Sequence, residues 1–389
     1  MLPNGAEKTR SDLFMYKFLV LNLGSTSTKL AYYEDETSVV SRNIEHPIAE
    51  TKEFRSYMNQ GEYRIGYINR FMQENAINPD DLDAIVSRGG HTKPIESGVY
   101  RICPEMMNQK AGDLYGLHPC DLGIEIAYDL AKKSKAIPLT MDPPTTDEFE
   151  PVARLSGHPF IRRRSSLHAL NHKATARRYA REKDAKYEDL NLIVVHMGGG
   201  ISVAPHRKGR MVEGDNALEG DGAFSSNRSG ALPVGDLVRL CFSGKYSYSQ
   251  IYRMINSEGG LFAYLGESDI RVVQKMAETD EKARLCLDAM VYQTCKAIGA
   301  CATVLKGEVD AILLTGAVIY SRTIVEKIKE SCGFIADIVS YPGENEMESL
   351  AMGAFECLRN PEKILDFVTC ANIGEAIENK YRFPFINRH

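Results

Sequence analysis

The sequence predicts an α/β chain made of two duplicated halves. Three observations carry that prediction. The stretch Phe18–Tyr33, FLVLNLGSTSTKLAYY, reads as an apolar strand, a polar turn and a second strand. About half a chain length further on, Asn191–Pro205, NLIVVHMGGGISVAP, repeats the pattern with a turn of three glycines. Elsewhere, short apolar runs alternate with amphipathic ones, as in a sheet covered by helices.

Each hairpin places a polar residue at the end of its first strand, Asn22 in one and His196 in the other. In the first turn Gly24 is followed by Ser25, Thr26, Ser27, Thr28 and Lys29. Backbone N–H groups and hydroxyls in one turn suit phosphate oxygens, although ordinary turns favour the same residue types. The pairing with Gly198, Gly199 and Gly200 in the second copy favours nucleotide phosphates held between duplicated halves. Neither turn is GxxxxGK[ST] or GxGxxG, so neither is a Walker loop or a dinucleotide fingerprint.

Composition narrows the class. The chain has 389 residues, 43% hydrophobic and 25% charged, enough for two domains with full cores. A formal charge of −5 and the lack of a basic run argue against a nucleic-acid partner. No apolar run reaches membrane-spanning length. Nine scattered cysteines with no CxxC pair read as reduced core or helix residues of a cytoplasmic protein. Residues 1–15 are polar and read as a disordered extension, with Met15 as an alternative start.

The elements follow in order. Ser38 to Ile44 is a third strand, 53–76 an amphipathic helix, and Asp83 to Ser87 a buried strand ending in Arg88-Gly89-Gly90. Helices follow at Pro104 to Asp113 and Asp121 to Lys133. A strand at Ala136 to Met141 ends at Asp142-Pro143-Pro144, and a loop runs to Phe160. A helix lies within residues 162–183, capped by Ser165 or Ser166. It carries His168 and His172 at i,i+4 spacing. That spacing suits a zinc pair, but no HExxH glutamate stands between them. The neighbouring Arg162–Arg164 run suggests an anion site or a solvated charge cluster. In the second half, Arg210 to Asp215 reads as a strand and 217–230 as a Gly-rich loop. Arg228, within that loop, is either a surface turn residue or an anion clamp. A long buried helix spans Glu281 to Leu305 and a strand spans Asp310 to Thr315. In TGAVIYS, Gly316 marks a close backbone approach. A helix at Arg322 to Glu330, a strand at Ala336 to Tyr341 and a helix from Asn345 to Leu358 complete the half. Glu344, Glu346 and Glu348 crowd the start of the last helix, complementing its dipole or standing near magnesium.

Ten motifs in order, NLGSTSTK, SRGG, PIESGVYR, GLHP, MDPP, LHALNH, HMGGGISV, NRSGALPVGDL, LTGAVIYS and GENEMESLAMGA, resemble those of the acetate and butyrate kinase family. The likeness covers about residues 16 to 360. It implies duplicated ribonuclease-H-like, actin-like ATPase domains with the active site in an interdomain cleft. The domains expected are 16–185 plus 360–389, and 186–359. The implied reaction is phosphorylation of a short carboxylate by ATP, with ADP and an acyl phosphate as products.

By motif, the resemblance implies that Arg228, Arg88, His168, Asp142 and His196 are catalytic, Arg228 stabilising the transferring phosphoryl group. Ser25, Ser27, Lys29 and Gly198 to Gly200 would hold phosphates, Thr315 and Gly316 would begin the adenosine-side loop, and Asn22 and Glu346 would stand at Mg²⁺. Leu117 and His118 of GLHP, with Leu167 and Ala217, would line the acyl pocket. Leu167 replaces an aromatic residue of acetate kinases and Ala217 a proline. Both changes remove bulk and point to butyrate or a branched acid. Ala317 stands where butyrate kinases are expected to carry a second glycine. The resemblance also implies a homo-oligomer. A sugar kinase using Asp142 as base, and a switch ATPase, are the other classes open to such a chain.

Overall fold

The computed structural model describes residues 15–24, 27–51, 54, 56–108 and 119–381. Ser25, Leu117, His118 and residues 1–14 lie outside them. The chain divides into two compact units, 1–93 with 97–143 and 346–371, and 94–96 with 144–345 and 372–389.

The first unit is built on a sheet of β1 (Lys17–Leu23), β2 (Ser27–Glu34), β3 (Thr37–Glu45), β4 (Ala84–Arg88), β5 (Val99–Arg101) and β6 (Ile137–Met141). Its order is β3-β2-β1-β4-β6-β5. The hairpin strands β1 to β3 are antiparallel, and β1, β4 and β6 are parallel. All of β1 after Lys17 is buried, as its apolar run requires of a strand covered on both faces. The helix Pro119–Ala131 covers the face of Leu23 and Ser87, where a Cβ on Gly123 would lie 2.5 Å from Ser87 Oγ. The helix Glu346–Arg359 covers the other, where a Cβ on Gly353 would lie 2.4 Å from Met141 Sδ.

The second unit holds the small β7 (Leu155–His158) and β8 (Ile161–Arg162) pair. Its main sheet comprises β9 (Asn191–Met197), β10 (Ile201–Arg207), β11 (Arg210–Met211), β12 (Ala311–Gly316) and β13 (Ile338–Pro342), ordered β11-β10-β9-β12-β13. The first five strands of the other sheet have the corresponding order, so the duplication read from the hairpins extends to topology. Alternation divides β9 between two cores. Ile193, Val195 and Met197 pack with Leu287, Met290 and Ile298 of the helix Glu281–Val304. Leu192 and Val194 pack with Ala176, Tyr179 and Ala180 of the helix Ala169–Glu182.

These contacts draw the units differently from the expected domain ranges. The helix Ala169–Glu182 buries its apolar face on the second sheet, and Glu346–Arg359 buries its own on the first. Several elements also differ from expectation. The segment expected as a loop to Phe160 holds the 3₁₀ turn Pro151–Arg154 and the strand β7. Only Arg210–Met211 of 210–215 forms a strand. Pro205 accepts from Val212 N but has no N–H to return, and the Val212 carbonyl accepts from Glu150 N instead. The helix expected over 53–76 is a 3₁₀ turn at Tyr57–Gln60 followed by Gly61–Glu74.

One buried charge anchors the first hairpin. Arg64 has no exposed surface. Its guanidinium donates to the Ser27 carbonyl and Thr28 Oγ1, both at 2.9 Å, and to Gln60 Oε1 at 2.8 and 3.1 Å. His46, pushed down to about 4 by burial and by Arg64, stays neutral and meets the same Thr28 hydroxyl at 2.8 Å. Removing the guanidinium leaves buried acceptors unsatisfied. Arg64→Ala is therefore expected to destabilise the protein by about 3 kcal/mol, read as a lower urea midpoint. An unchanged midpoint would show that the hairpin does not depend on this anchor.

Candidate functional site

The expected site residues fall into one set in each unit. In the first unit, β1 ends in Asn22-Leu23, and antiparallel register sets Lys29 directly across from Asn22. Asn22 therefore points to the face covered by the helix Glu346–Arg359. There its amide donates to Glu346 Oε2 at 2.8 Å. Arg88, the last residue of β4, brings NH1 to 3.3 Å from the same oxygen. Asn22 and Glu346 are each only 3% exposed. A buried carboxylate is thus held by an amide and a guanidinium at a helix start, where acidic residues also complement the dipole. The oxygens of this pair are hard donors of the kind magnesium takes, and one or two protein ligands are enough for an ion that keeps water and phosphate around it.

Asp142 follows β6 with φ +42°, a conformation uncommon outside glycine and often found at functional positions. Its Oδ1 accepts from the Ser97 hydroxyl at 2.6 Å and from Gly98 N–H at 2.9 Å. This carboxylate is fixed in place by the 97–98 turn.

In the second unit, the three-glycine turn joins Met197 to its register partner Ile201. Gly198 N–H donates to the Gly200 carbonyl at 2.9 Å. A Cβ on Gly200 would fall 2.2 Å from Arg228 NH1 and 3.2 Å from His168 Cε1. Only glycine lets the guanidinium and imidazole come this close to the backbone. Arg228 NH1 donates to the Ala217 carbonyl at 2.8 Å. Its backbone N–H donates to Ser225 Oγ at 3.2 Å, and the Ser225 hydroxyl donates to the Gly199 carbonyl at 2.7 Å. The loop reading of Arg228 thus becomes a fixed guanidinium tied to the glycine turn. His168 and His196 stack with ring centroids 3.8 Å apart.

His168 does not lie within the helix. It is the N-cap of Ala169–Glu182, and Ser165, expected as a cap, donates instead to the Thr146 carbonyl at 2.6 Å. The zinc-pair alternative does not fit, because His172 Nε2 meets Ser202 Oγ and its Nδ1 faces His206. Among the described residues there is no group of three or more His, Cys, Asp or Glu suited to a metal. Arg163 is half-buried and already occupied by carboxylates. It pairs with Glu213 and lies 3.5 Å from Asp221. Leu167 is buried with Phe149, Ala153, Ala169, Ala204 and Met211. Ala217, also buried, donates its N–H to the Ser166 carbonyl at 2.9 Å.

Beside the glycine turn lies a cavity of about 510 Å³, walled by Gly198, Gly199, Asn227, Arg271, Gln274 and Ala317 among others. This is the size of an ordinary small-molecule site. Thr315 and Gly316 stand behind the wall. Thr315 Oγ1 donates to the Gly343 carbonyl at 3.0 Å. Gly316 has φ +100°, and a Cβ there would lie 2.2 Å from the Met197 carbonyl oxygen. The close approach read from TGAVIYS is therefore to the end of β9. Sequence reasoning passed over Ser225, Arg271 and Gln274. Arg271 and Gln274 belong to the helix Ile270–Ala277, capped by Asp269, whose amphipathic pattern was the available signal.

Comparison with known proteins agrees with this architecture. Residues 151–337 match the profile of the acetokinase family. Butyrate kinase 1 of Clostridium acetobutylicum is 44% identical over 91% of this chain and all of its own length. A probable butyrate kinase 2 of Caldanaerobacter subterraneus subsp. tengcongensis is 46% identical over 90% of this chain and 98% of its own. The crystal structure of Porphyromonas gingivalis acetate kinase superimposes with a TM-score of 0.73 at 18% identity, covering 88% of this chain and 100% of that one. A propionate kinase from Francisella tularensis gives 0.71 at 18% identity, covering 87% and 99%. At such identity the structural likeness concerns the duplicated actin-like fold, whereas the full-length relatives fix the lineage: this chain belongs to the acetokinase family.

Proposed function

We propose that this chain transfers the γ-phosphoryl group of ATP to the carboxylate of butyrate, or of a branched short-chain acid, forming an acyl phosphate and ADP, and that it runs the reaction in both directions. The observation that carries this reading is the Arg228 guanidinium, held with His168 against Gly200 of the glycine turn whose Gly198 and Gly199 wall a cavity of about 510 Å³. Full-length similarity to proteins named butyrate kinase supports the choice of acceptor.

The chemistry explains why positive groups dominate. A carboxylic acid ionises near the pKa of Glu, about 4, so the nucleophile already exists at pH 7. No base is needed. The difficulty is to bring an anion in line with a multiply charged phosphate, which calls for positioning and charge neutralisation. Arg228 and His168 would donate to the transferring group, with His196 behind His168. Gly198 to Gly200 and, in the other unit, Ser25, Ser27 and Lys29 would hold phosphates. Arg88 would offset substrate charge. Asp142, with one oxygen already taken by Ser97 and Gly98, suits an orienting role rather than that of a base. Asn22 and Glu346 would hold Mg²⁺, which supplies charge neutralisation on the phosphates. Thr315 and Gly316 would support the adenosine side.

Leu117, His118, Leu167 and Ala217 are proposed to shape the acyl pocket. Discrimination by one methylene is worth only about 1–3 kcal/mol, so neighbouring acids should also react. We place the enzyme in the cytoplasm, where ATP is available and its nine free cysteines stay reduced. No helix among the described residues is long and apolar enough to cross a membrane. We further propose a homo-oligomer, a dimer or larger. Val234, Val238 and Phe242, on and just after the helix Val234–Cys241, are 70%, 49% and 87% exposed and supply an apolar surface for association.

Three measurements test this reading. With ATP, Mg²⁺ and acids from acetate to hexanoate, hydroxylamine trapping should give a signal peaking at butyrate or isobutyrate. A preference for acetate in kcat/KM would overturn the acyl assignment. Arg228→Ala should lower kcat by on the order of 10³-fold, as loss of a phosphoryl clamp does. Near-normal turnover in folded protein would remove Arg228 from the transfer step. Sedimentation equilibrium should return a multiple of 43.4 kDa, and a single-chain mass at micromolar concentration would exclude the oligomer.

A further inference from the structure

Beneath His168 runs a chain of polar contacts that phosphoryl transfer itself does not require. His168 Nδ1 lies 2.8 Å from Ser202 Oγ, and the same hydroxyl lies 2.9 Å from His172 Nε2. His172 Nδ1 lies 3.4 Å from His206 Nε2, with the two rings within 8° of parallel. His206 Nδ1 lies 2.5 Å from the Tyr187 hydroxyl. Ser202, His172 and His206 have no exposed surface, and Tyr187 has 6%. β-Alternation explains the alignment. Cross-strand register sets Ser202 opposite His196 and His206 opposite Leu192, on the face that the helix Ala169–Glu182 covers. Aliphatic side chains would pack there without the desolvation penalty that buried polar groups carry.

We propose that this chain fixes the tautomer of His168, placing its proton on Nε2 so that the ring donates to the transferring phosphoryl group. Ser202, His172, His206 and Tyr187 are then positioning residues that act through His168. The donor role of His168 rests on the function proposed above, whereas the tautomer does not.

Proton accounting leads to this direction. A neutral imidazole has one N–H and one acceptor nitrogen. His172 is pushed down to about 3 and His206 well below its usual range, both chiefly by burial, so both rings are neutral. Each uses both nitrogens, and the serine hydroxyl has a single hydrogen. The imidazole contacts must therefore run the same way. Ser202 Oγ can accept from two groups, but its one hydrogen is buried and meets only the two imidazole nitrogens, so it goes to whichever ring does not donate to it. At the Tyr187 end a phenol meets an imidazole nitrogen. The phenol is the stronger donor and the nitrogen the stronger acceptor, so Tyr187 donates to His206 Nδ1. His206 Nε2–H then donates to His172 Nδ1, and His172 Nε2–H donates to Ser202 Oγ. The Ser202 hydroxyl donates to His168 Nδ1, which leaves the His168 proton on Nε2. The Lys173 ammonium also lies at this end, 5.4 Å from the Tyr187 ring centroid. It is itself held by Glu148 at 2.6 Å and by the Gly209 carbonyl at 2.8 Å.

The test is ¹⁵N NMR of the full chain labelled at histidine, where Nδ1 and Nε2 shifts report each tautomer. His168, His172 and His206 should all be in the Nε2–H form at pH 7. Ser202→Ala cuts the chain beside His168, and Tyr187→Phe removes its far donor with little change in packing. Each should convert His168 to a tautomer mixture and lower kcat by about 10- to 100-fold, leaving both KM values unchanged. An Nδ1–H form of His168 in the parent protein would overturn the proposal. So would an unaltered His168 tautomer in either folded variant. A lost tautomer with unchanged kcat would instead overturn the donor role of His168, and with it that part of the proposed function, while the relay itself would stand.

Discussion

At the end of β9 the positions of Gly200 and Gly316 have no room for a side chain, and the second unit is arranged around that steric limit. Gly316 presses on the Met197 carbonyl from β12, and Gly200 lies against the Arg228 guanidinium. Because these positions lack a Cβ, a cation, two imidazoles and the wall of a cavity converge on one strand end. A methyl group at Gly200 would displace Arg228 or His168. One at Gly316 would meet backbone, which yields less readily than a flexible side chain. The turn is the gap that allows the guanidinium and the imidazole to approach one another.

The same sheet separates two kinds of interior. One face of β9 and β10 is hydrocarbon, closed by the long helix Glu281–Val304 and sealed against water. The other face begins as hydrocarbon at Leu192 and Val194 but carries His196, Ser202 and His206 as well. Every second residue of a strand faces the same side. A single change of residue type along the strand thus places a polar network beside an apolar core without disturbing the other face. His172 and His206 tolerate such burial because each is neutral and has a partner at both of its nitrogens.

The two hairpins use one scaffold for different chemistry. Asn22 and His196 each stand one residue before the end of their strand, with Lys29 and Ser202 as cross-strand partners. In the first unit that position supplies an amide that donates to Glu346, beside the guanidinium of Arg88. In the second it supplies an imidazole stacked on another. The backbone geometry is shared, and the side chains assign the roles.

Local order along the chain was enough to identify much of this protein. Apolar runs, polar strand ends and glycine turns gave both hairpins, because strand formation and turn chemistry depend on near neighbours. Ten motifs in series pointed to the family, and Arg228 stood out as an arginine in a loop of small residues. The Arg64 anchor was hidden, because its partners Ser27 and Thr28 lie across a helix–sheet contact remote in sequence. The boundary near 143 was hidden because a helix joins the sheet on which it can bury its apolar face, and periodicity does not say which sheet that is. His172 and His206 showed no sign of their connection through Ser202, which follows from strand register and helix packing together. Sequence determined the elements and the chemical groups they carry. Only tertiary structure decided which groups meet, because hydrogen bonds between distant residues depend on packing at a scale of tenths of an ångström.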